Sequence, residues 1–213
     1  MQRLRLKFSR GEELKFISHL DLIRLWERAL RRAGVSLAYS QGFTLHPRIS
    51  LAVPLPVGVT SQAELMDVFL SRWVSPNSFI AQVGEQLPRG LDLLEAWPVG
   101  LGIPSLQSQA LFAEYKVEME MEKERQEVEI ALQSLLSAKE LPWHHYRDTG
   151  ARYYDLRALV DTLWLIGCYG SLCSLGMRLY CDARGTGRPE QVAQALGFSQ
   201  RPKSIHRTKL ILS

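Results

Sequence analysis

Two switches of hydrophobic period constrain this chain more than any other feature. Leu4, Leu6 and Phe8 alternate strictly with Arg3, Arg5 and Lys7, the period of two that marks a half-buried strand. Ten residues on, the period becomes 3.6. Leu22, Ile23, Leu25, Trp26, Ala29, Leu30 and Ala33 gather on one side of a helix expected from about Ser18 to Ala33. Arg24, Arg28, Arg31 and Arg32 share the opposite arc with Asp21 and Glu27. Ser18 suits the N-cap, with Asp21 three residues on, and Gly34 suits the C-terminal stop. The switch recurs downstream. Tyr115, Val117, Met119 and Met121 alternate with Lys116, Glu118, Glu120 and Glu122, and "RQEVEIALQSLLSA" then reads as an amphipathic helix.

The remaining elements fill in the same plan twice. In the first half a short strand is expected near Leu37–Ser40 and a longer one at Ile49–Val53. Glu64–Ser71 reads as strand, Pro76–Leu87 as helix and Leu91–Ala96 as strand. In the second half "RYYDLR", "DTLWLIGCYG" and "SLCSLGMRLYCD" read as strands. "GRPEQVAQALGF" reads as a helix with Pro189 in its first turn, and "SIHRTKLIL" as a closing strand. Strand–helix–strand–strand–helix–strand is the split βαβ order. The expectation is an α+β protein of two tandem ferredoxin-like (split βαβ) sandwiches. Their bounds are residues 1–97 and 112–213, joined by a connector at 98–111 rich in Gly, Pro, Ser and Gln.

Composition narrows the function classes. A chain of 213 residues, 46% hydrophobic and 23% charged, is ordinary for a globular protein with a real core. No apolar run reaches the ~18 residues of a membrane span, and "MQRLRLKFSRG" has no signal-peptide core. The expected location is the cytoplasm. Cys168, Cys173 and Cys181 lack metal-ligand spacing and read as reduced, packed thiols, so no metal and no cofactor are expected. The net charge of +4 is unevenly spread. Residues 1–48 carry ten Lys and Arg against four acids, and residues 184–213 carry six against Glu190 alone. Residues 112–148 run the other way, nine acids against five bases. Such clustering points to an anionic partner; the competing reading is that acidic middle and basic ends neutralise each other.

The residue types that carry chemistry concentrate in "YSQGFTLHPR", residues 39–48. Tyr39 and Phe43 can stack on bases, while Ser40, Gln41, His46 and Arg48 offer hydrogen bonds and charge, a mixture suited to unpaired RNA. The plainer reading is a strand–loop–strand link whose aromatic residues plug the core. Arg24, Arg28 and Arg31 on the helix can track phosphates; the spacing of Glu27 from Arg24 and Arg31 argues instead for a self-paired, solvated face. His19, at the first helical position, and His46 are candidate general bases if the chain cleaves RNA. In "RGTGRPEQ", Arg184 and Arg188 flank a Gly-rich turn that matches neither nucleotide-binding fingerprint. "IHRTK" adds His206, Arg207 and Lys209. "WHHY" pairs two histidines that point apart when extended, an unpromising chelate.

"FISHLDLIRLWERALRRAGVSLAYSQGFTLHPR", with "YYDLR", "GRPEQVAQALGF" and "IHRTKLIL" downstream, resembles a bacterial domain of unknown function linked to radical SAM proteins, free-standing or as their C-terminal part. The resemblance runs nearly end to end and is weakest over 98–150. In that family the loop commonly reads SQGFNPRP. Here Thr44, Leu45 and His46 stand in its place, so no role of an Asn carries over. The resemblance implies a radical SAM protein as partner. It does not make this chain that enzyme, since its cysteines do not form CxxxCxxC.

Three readings follow. The first is a non-catalytic RNA-binding or substrate-presenting module beside a radical SAM protein in tRNA or rRNA modification. Its contacts would be Arg24, Arg28, Arg31, Tyr39, Ser40, Gln41, Phe43, His46, Arg48, Arg188, His206 and Arg207. The second is a metal-independent endoribonuclease, of the layout of CRISPR-RNA-processing proteins, using His19 or His46. The third is a protein-interaction scaffold for the radical SAM partner.

Overall fold

The structure, a computed structural model, describes residues 1–147 and 150–213, with side chains outside 145–149 and 151–152. The chain divides into two compact units, one of residues 1–110 with 212–213, the other of residues 111–211. It is a mixed α/β fold.

In the first unit β1 (Gln2–Arg10) leads through a short 3-10 turn into α1 (His19–Arg32), followed by β2 (Ile49–Leu51), β3 (Thr60–Leu70), α2 (Pro76–Gly84), β4 (Leu91–Val99) and the short α3 (Leu106–Gln109). The strands lie in the order β4-β1-β3-β2, antiparallel at each junction. The alternation of β1 does what its period requires. Leu4, Leu6 and Phe8 are completely buried beneath α1, whose Leu22, Trp26 and Leu30 join them with Phe79 and Val83 of α2. Phe8 meets Trp26 edge-on at 5.1 Å between ring centroids, a favoured aromatic arrangement. Ser18 caps α1 by accepting the Asp21 amide at 3.1 Å, and Gly34 follows the helix at φ +68°, which a residue with a Cβ adopts only with strain.

The opposite face of β1 differs from expectation. Arg3 and Arg5 do not face water; they are 3% and 6% exposed. Both grip Asp67 of β3, Arg3 through Nε and Nη2 at 2.9 and 2.6 Å and Arg5 through Nε at 2.8 Å. Arg3 also donates to the carbonyls of Ile103 and Pro104. Residues 100–109 therefore cover this face, and Gln107 ties α3 to Ser50 and to the Leu51 carbonyl of β2. The expected strand near Leu37–Ser40 is reduced to two isolated bridges, Leu37 with Leu70 and Tyr39 with Pro47.

The second unit holds β5 (Ala110–Glu120), α4 (Arg125–Ser137), a hairpin of β6 (Pro142–Arg147) and β7 (Gly150–Asp155), then β8 (Val160–Tyr169), β9 (Leu172–Asp182), β10 (Gly185–Thr186), α5 (Pro189–Ala195) and β11 (Ser204–Leu212). β9 pairs with β5 on one side and with β8 and β10 on the other, and β5 is flanked by β11. Tyr115, Val117 and Met119 enter the core, but Met121 lies beyond the strand and is exposed. The outward side of β5 carries ion pairs, Glu114 with Arg178 at 2.7 Å and Lys116 with Glu118 at 2.9 Å.

Gly176 of β9 sits opposite Trp164 of β8, whose indole lies against it; a Cβ there would come within 1.9 Å of the ring. Gly176→Ala should therefore displace Trp164 and cost about 1–3 kcal/mol. Urea unfolding monitored by tryptophan fluorescence checks this, and an unchanged midpoint would contradict the packing described.

Candidate nucleic-acid interface

The loop after α1 is built by closure onto the end of β3. The Ala38 amide donates to the Phe69 carbonyl at 2.8 Å, the Arg48 amide to the Ala38 carbonyl at 2.8 Å, and the Phe69 amide to the Arg48 carbonyl at 3.0 Å. One step further out the Ser40 amide reaches the His46 carbonyl at 2.9 Å, and the His46 amide returns to Ser40 Oγ at 3.1 Å. Gln41–Leu45 are thus held as a short tip on a hydrogen-bonded stem. Gly42, at φ +135°, provides a backbone angle that favours glycine.

The tip points its rings outward. Phe43 is fully exposed, Leu45 is 61% exposed and Tyr39 42%. The reading in which Tyr39 and Phe43 plug the core is corrected: the core beneath is already filled by Leu37, Leu51 and Leu70. Exposed large apolar side chains on a tied stem lose solvation energy unless something covers them.

At the stem, Arg48 lays its guanidinium 4.1 Å from the centroid of the Phe69 ring, with Arg3 at 5.6 Å from the same ring. Its Nη1 is 3.3 Å from Met1 Sδ. Arg48 is oriented by stacking and has no carboxylate partner among the described residues, so its charge stays available. Phe69 is a contributor the sequence reading did not single out. It follows Asp67 by two in β3, on the face shared with Arg3, and only the register reveals the stack.

On α1, Arg24, Arg28 and Arg31 are exposed. Arg24 approaches Asp21 at 3.4 Å, an exposed contact of little strength. Arg28 and Arg31 form no ion pair among the described residues, and Glu27 bridges neither Arg24 nor Arg31, contrary to the self-paired reading of this face. Arg32 donates to the Gln86 carbonyl at 2.8 Å.

The candidate bases are poorly served. His19 opens α1 half-buried and His46 is exposed. Neither imidazole hydrogen-bonds to another group among the described residues.

In the second unit the expected contacts separate. Arg188 is exposed at the start of α5. His206 shares a face of β11 with Ser204 and Thr208, whose hydroxyls donate to the Glu118 carboxylate and the Glu114 carbonyl at 2.9 and 3.3 Å. Arg207 as an RNA contact is corrected: it is 0% exposed and donates to the Tyr115 hydroxyl at 3.1 Å, inside the core. Arg184 is spent on Asp182 at 2.6 Å and stacks on Tyr180 at 3.5 Å. Its guanidinium, bonded to Asp182, holds that carboxyl below the usual range. Among the described residues no group of three or more His, Cys, Asp or Glu could hold a metal ion, and no helix is long and apolar enough to cross a membrane. Of the "WHHY" stretch, the side chains of His145 and Tyr146 lie outside the described residues.

A family model described as "Uncharacterized protein conserved in bacteria (DUF2344)" matches residues 3–189. No curated protein matches the chain. Among solved structures, the chain is similar to one in the crystal structure of a Cbf5–Nop10–Gar1 complex, with TM-score 0.54 and 9% identity, over 98% of this chain and 48% of that one. A second similarity is to the archaeal box H/ACA sRNP Nop10–Cbf5 complex, at TM-score 0.47 and 9% identity over 97% of this chain and 46% of that one. The chain thus spans about half the length of these two solved chains.

Proposed function

Since the chain belongs to this bacterial family, DUF2344, and the family's description assigns no activity, we propose from the surface chemistry that it is a non-catalytic RNA-binding module. Each unit is read as a ferredoxin-like sandwich, and the first supplies the contacts. Tyr39 and Phe43 stack on unpaired bases, Ser40, Gln41 and His46 bond to base or sugar, and Arg48 with Arg24, Arg28 and Arg31 holds phosphates. Arg188 is a further phosphate contact from the second unit. The RNA is a structured one with an exposed loop, a tRNA or rRNA, presented to a radical SAM protein as the sequence resemblance implies.

The observation that carries this reading is the contrast within one unit. Arg3 and Arg5 are neutralised by buried Asp67, while Arg48, at the stem of a tip whose Phe43 is bare, and Arg28 and Arg31, on the exposed arc of α1, lack acidic partners among the described residues. Aromatic faces and unneutralised guanidinium groups together match the two halves of a single-stranded nucleotide, base and phosphate. The likeness to the Cbf5–Nop10–Gar1 structure supports the fold, not the ligand.

The test is fluorescence anisotropy with a labelled stem-loop RNA and its fully paired duplex. The stem-loop should bind more tightly. Phe43→Ala should weaken stem-loop binding by about 10-fold, from the ~1–3 kcal/mol of one base–aromatic stack, and leave duplex binding unchanged. Equal loss on both RNAs, or none on either, overturns the role of the tip.

A further inference from the structure

β8 and β9 are joined by a two-residue turn, Gly170–Ser171, with Gly170 at φ +57°, the Gly-first pattern of a tight hairpin. Tyr169 and Leu172 close the turn, and Cys168 and Cys173 form the next cross-strand pair. In such a hairpin the second pair is the non-hydrogen-bonded kind, with Cα atoms about 4.5 Å apart, inside the ~4.4–6.8 Å range that a disulfide spans. Both cysteines are free, and their sulfurs are 3.1 Å apart.

The two thiols differ in access. Cys168 is half-buried and Cys173 fully buried. α4 packs on β8, the strand that carries Cys168. Partial exposure is a feature of thiols that react with oxidants. Burial, with the neighbouring Cys168, pushes the Cys173 thiol up to about 12, so at neutral pH it keeps its proton and the first reaction belongs to Cys168.

We propose that Cys168 and Cys173 are an oxidation site, at which hydrogen peroxide closes a cross-strand disulfide that thiol reductants reopen. The Cys168 thiolate attacks one peroxide oxygen and the O–O bond breaks, giving a sulfenic acid and releasing hydroxide, which takes up the proton Cys168 lost. The Cys173 sulfur then attacks the Cys168 sulfur, the S–O bond breaks, and the departing oxygen leaves as water with the Cys173 proton. Two thiols lose two electrons and two protons; one peroxide becomes two waters. The site is independent of the RNA reading.

Trypsin leaves Cys168 and Cys173 on one peptide, residues 158–178, and Cys181 on residues 179–184. The experiment treats the full reduced chain with hydrogen peroxide, denatures it, labels free thiols with a maleimide and maps the peptides by mass. The expected result is peptide 158–178 lighter by two hydrogen atoms and unlabelled, Cys181 still labelled, and full labelling restored by dithiothreitol. Cys168→Ser should abolish the lighter peptide. Labelling of both thiols after peroxide, stable sulfinic acid at Cys168, dimers linked between chains, or a disulfide to Cys181 would each overturn the assignment. The wild-type map decides even if the variant fails to fold.

Discussion

Asp67→Ala should destabilise the first unit by about 3–5 kcal/mol, the cost of removing one partner from a buried ion pair. Two guanidinium groups converge on this carboxylate, and its side chain is 1% exposed. Without it, Arg3 keeps the Ile103 and Pro104 carbonyls but loses its counter-charge, and Arg5 loses the carboxylate altogether. Chemical denaturation followed by circular dichroism measures the change. Asp67→Leu combined with Arg3→Met and Arg5→Met should recover much of the loss, because apolar side chains of similar size remove the orphaned charges. If Asp67→Ala unfolds with the wild-type midpoint, the two arginines are not held as described, and their charges would have to be counted on the open surface.

The arginines that do reach that surface give the second large effect. Replacing Arg28, Arg31 and Arg48 together by Ala should weaken stem-loop binding about 100-fold at low salt, from roughly 1 kcal/mol per exposed phosphate contact. The slope of log affinity against log salt should flatten by about 2, since each phosphate neutralised on a single strand contributes ~0.7. Lys7→Ala is the control. Its ammonium is paired with Glu95 at 2.7 Å on the rim of the sheet, and it should change neither quantity. A triple variant with the wild-type slope would place the phosphate contacts elsewhere.

How far the sequence reveals this depends on the kind of information each feature needs. Alternation in β1 and the arc of α1 are local, and the core of the first unit follows from them. So do the Ser18 cap and the Gly34 stop. What alternation leaves open is whether the second face of a strand is covered. Arg3 and Arg5 read as outward because nothing local announces that residues 100–109 return across them. The available signal was Asp67 itself, an acid set between Met66 and Val68 in the otherwise apolar run of residues 65–70. Arg207 is a similar case, since one of the groups it bonds inside the core is Tyr115, 92 residues away. For the loop, the residue types were legible and their direction was not. The same Tyr39 and Phe43 would serve as plugs or as bare rings, and the choice is made by the Ser40–His46 closure and by Leu37, Leu51 and Leu70 already filling the core. The cysteine pair was legible only in part: the spacing of Cys168 and Cys173 around Gly170–Ser171 permits facing thiols, but two strand bulges in β8 mean that register decides it.

The proposed RNA binding depends on contact through the tip and stem at residues 39–48. Ultraviolet cross-linking of the full chain to a stem-loop RNA, followed by peptide mapping, tests that contact directly. Cross-linked nucleotides are expected on Tyr39 and Phe43, weakening as salt rises. Cross-links confined to other parts of the chain, or none at low salt, would contradict it.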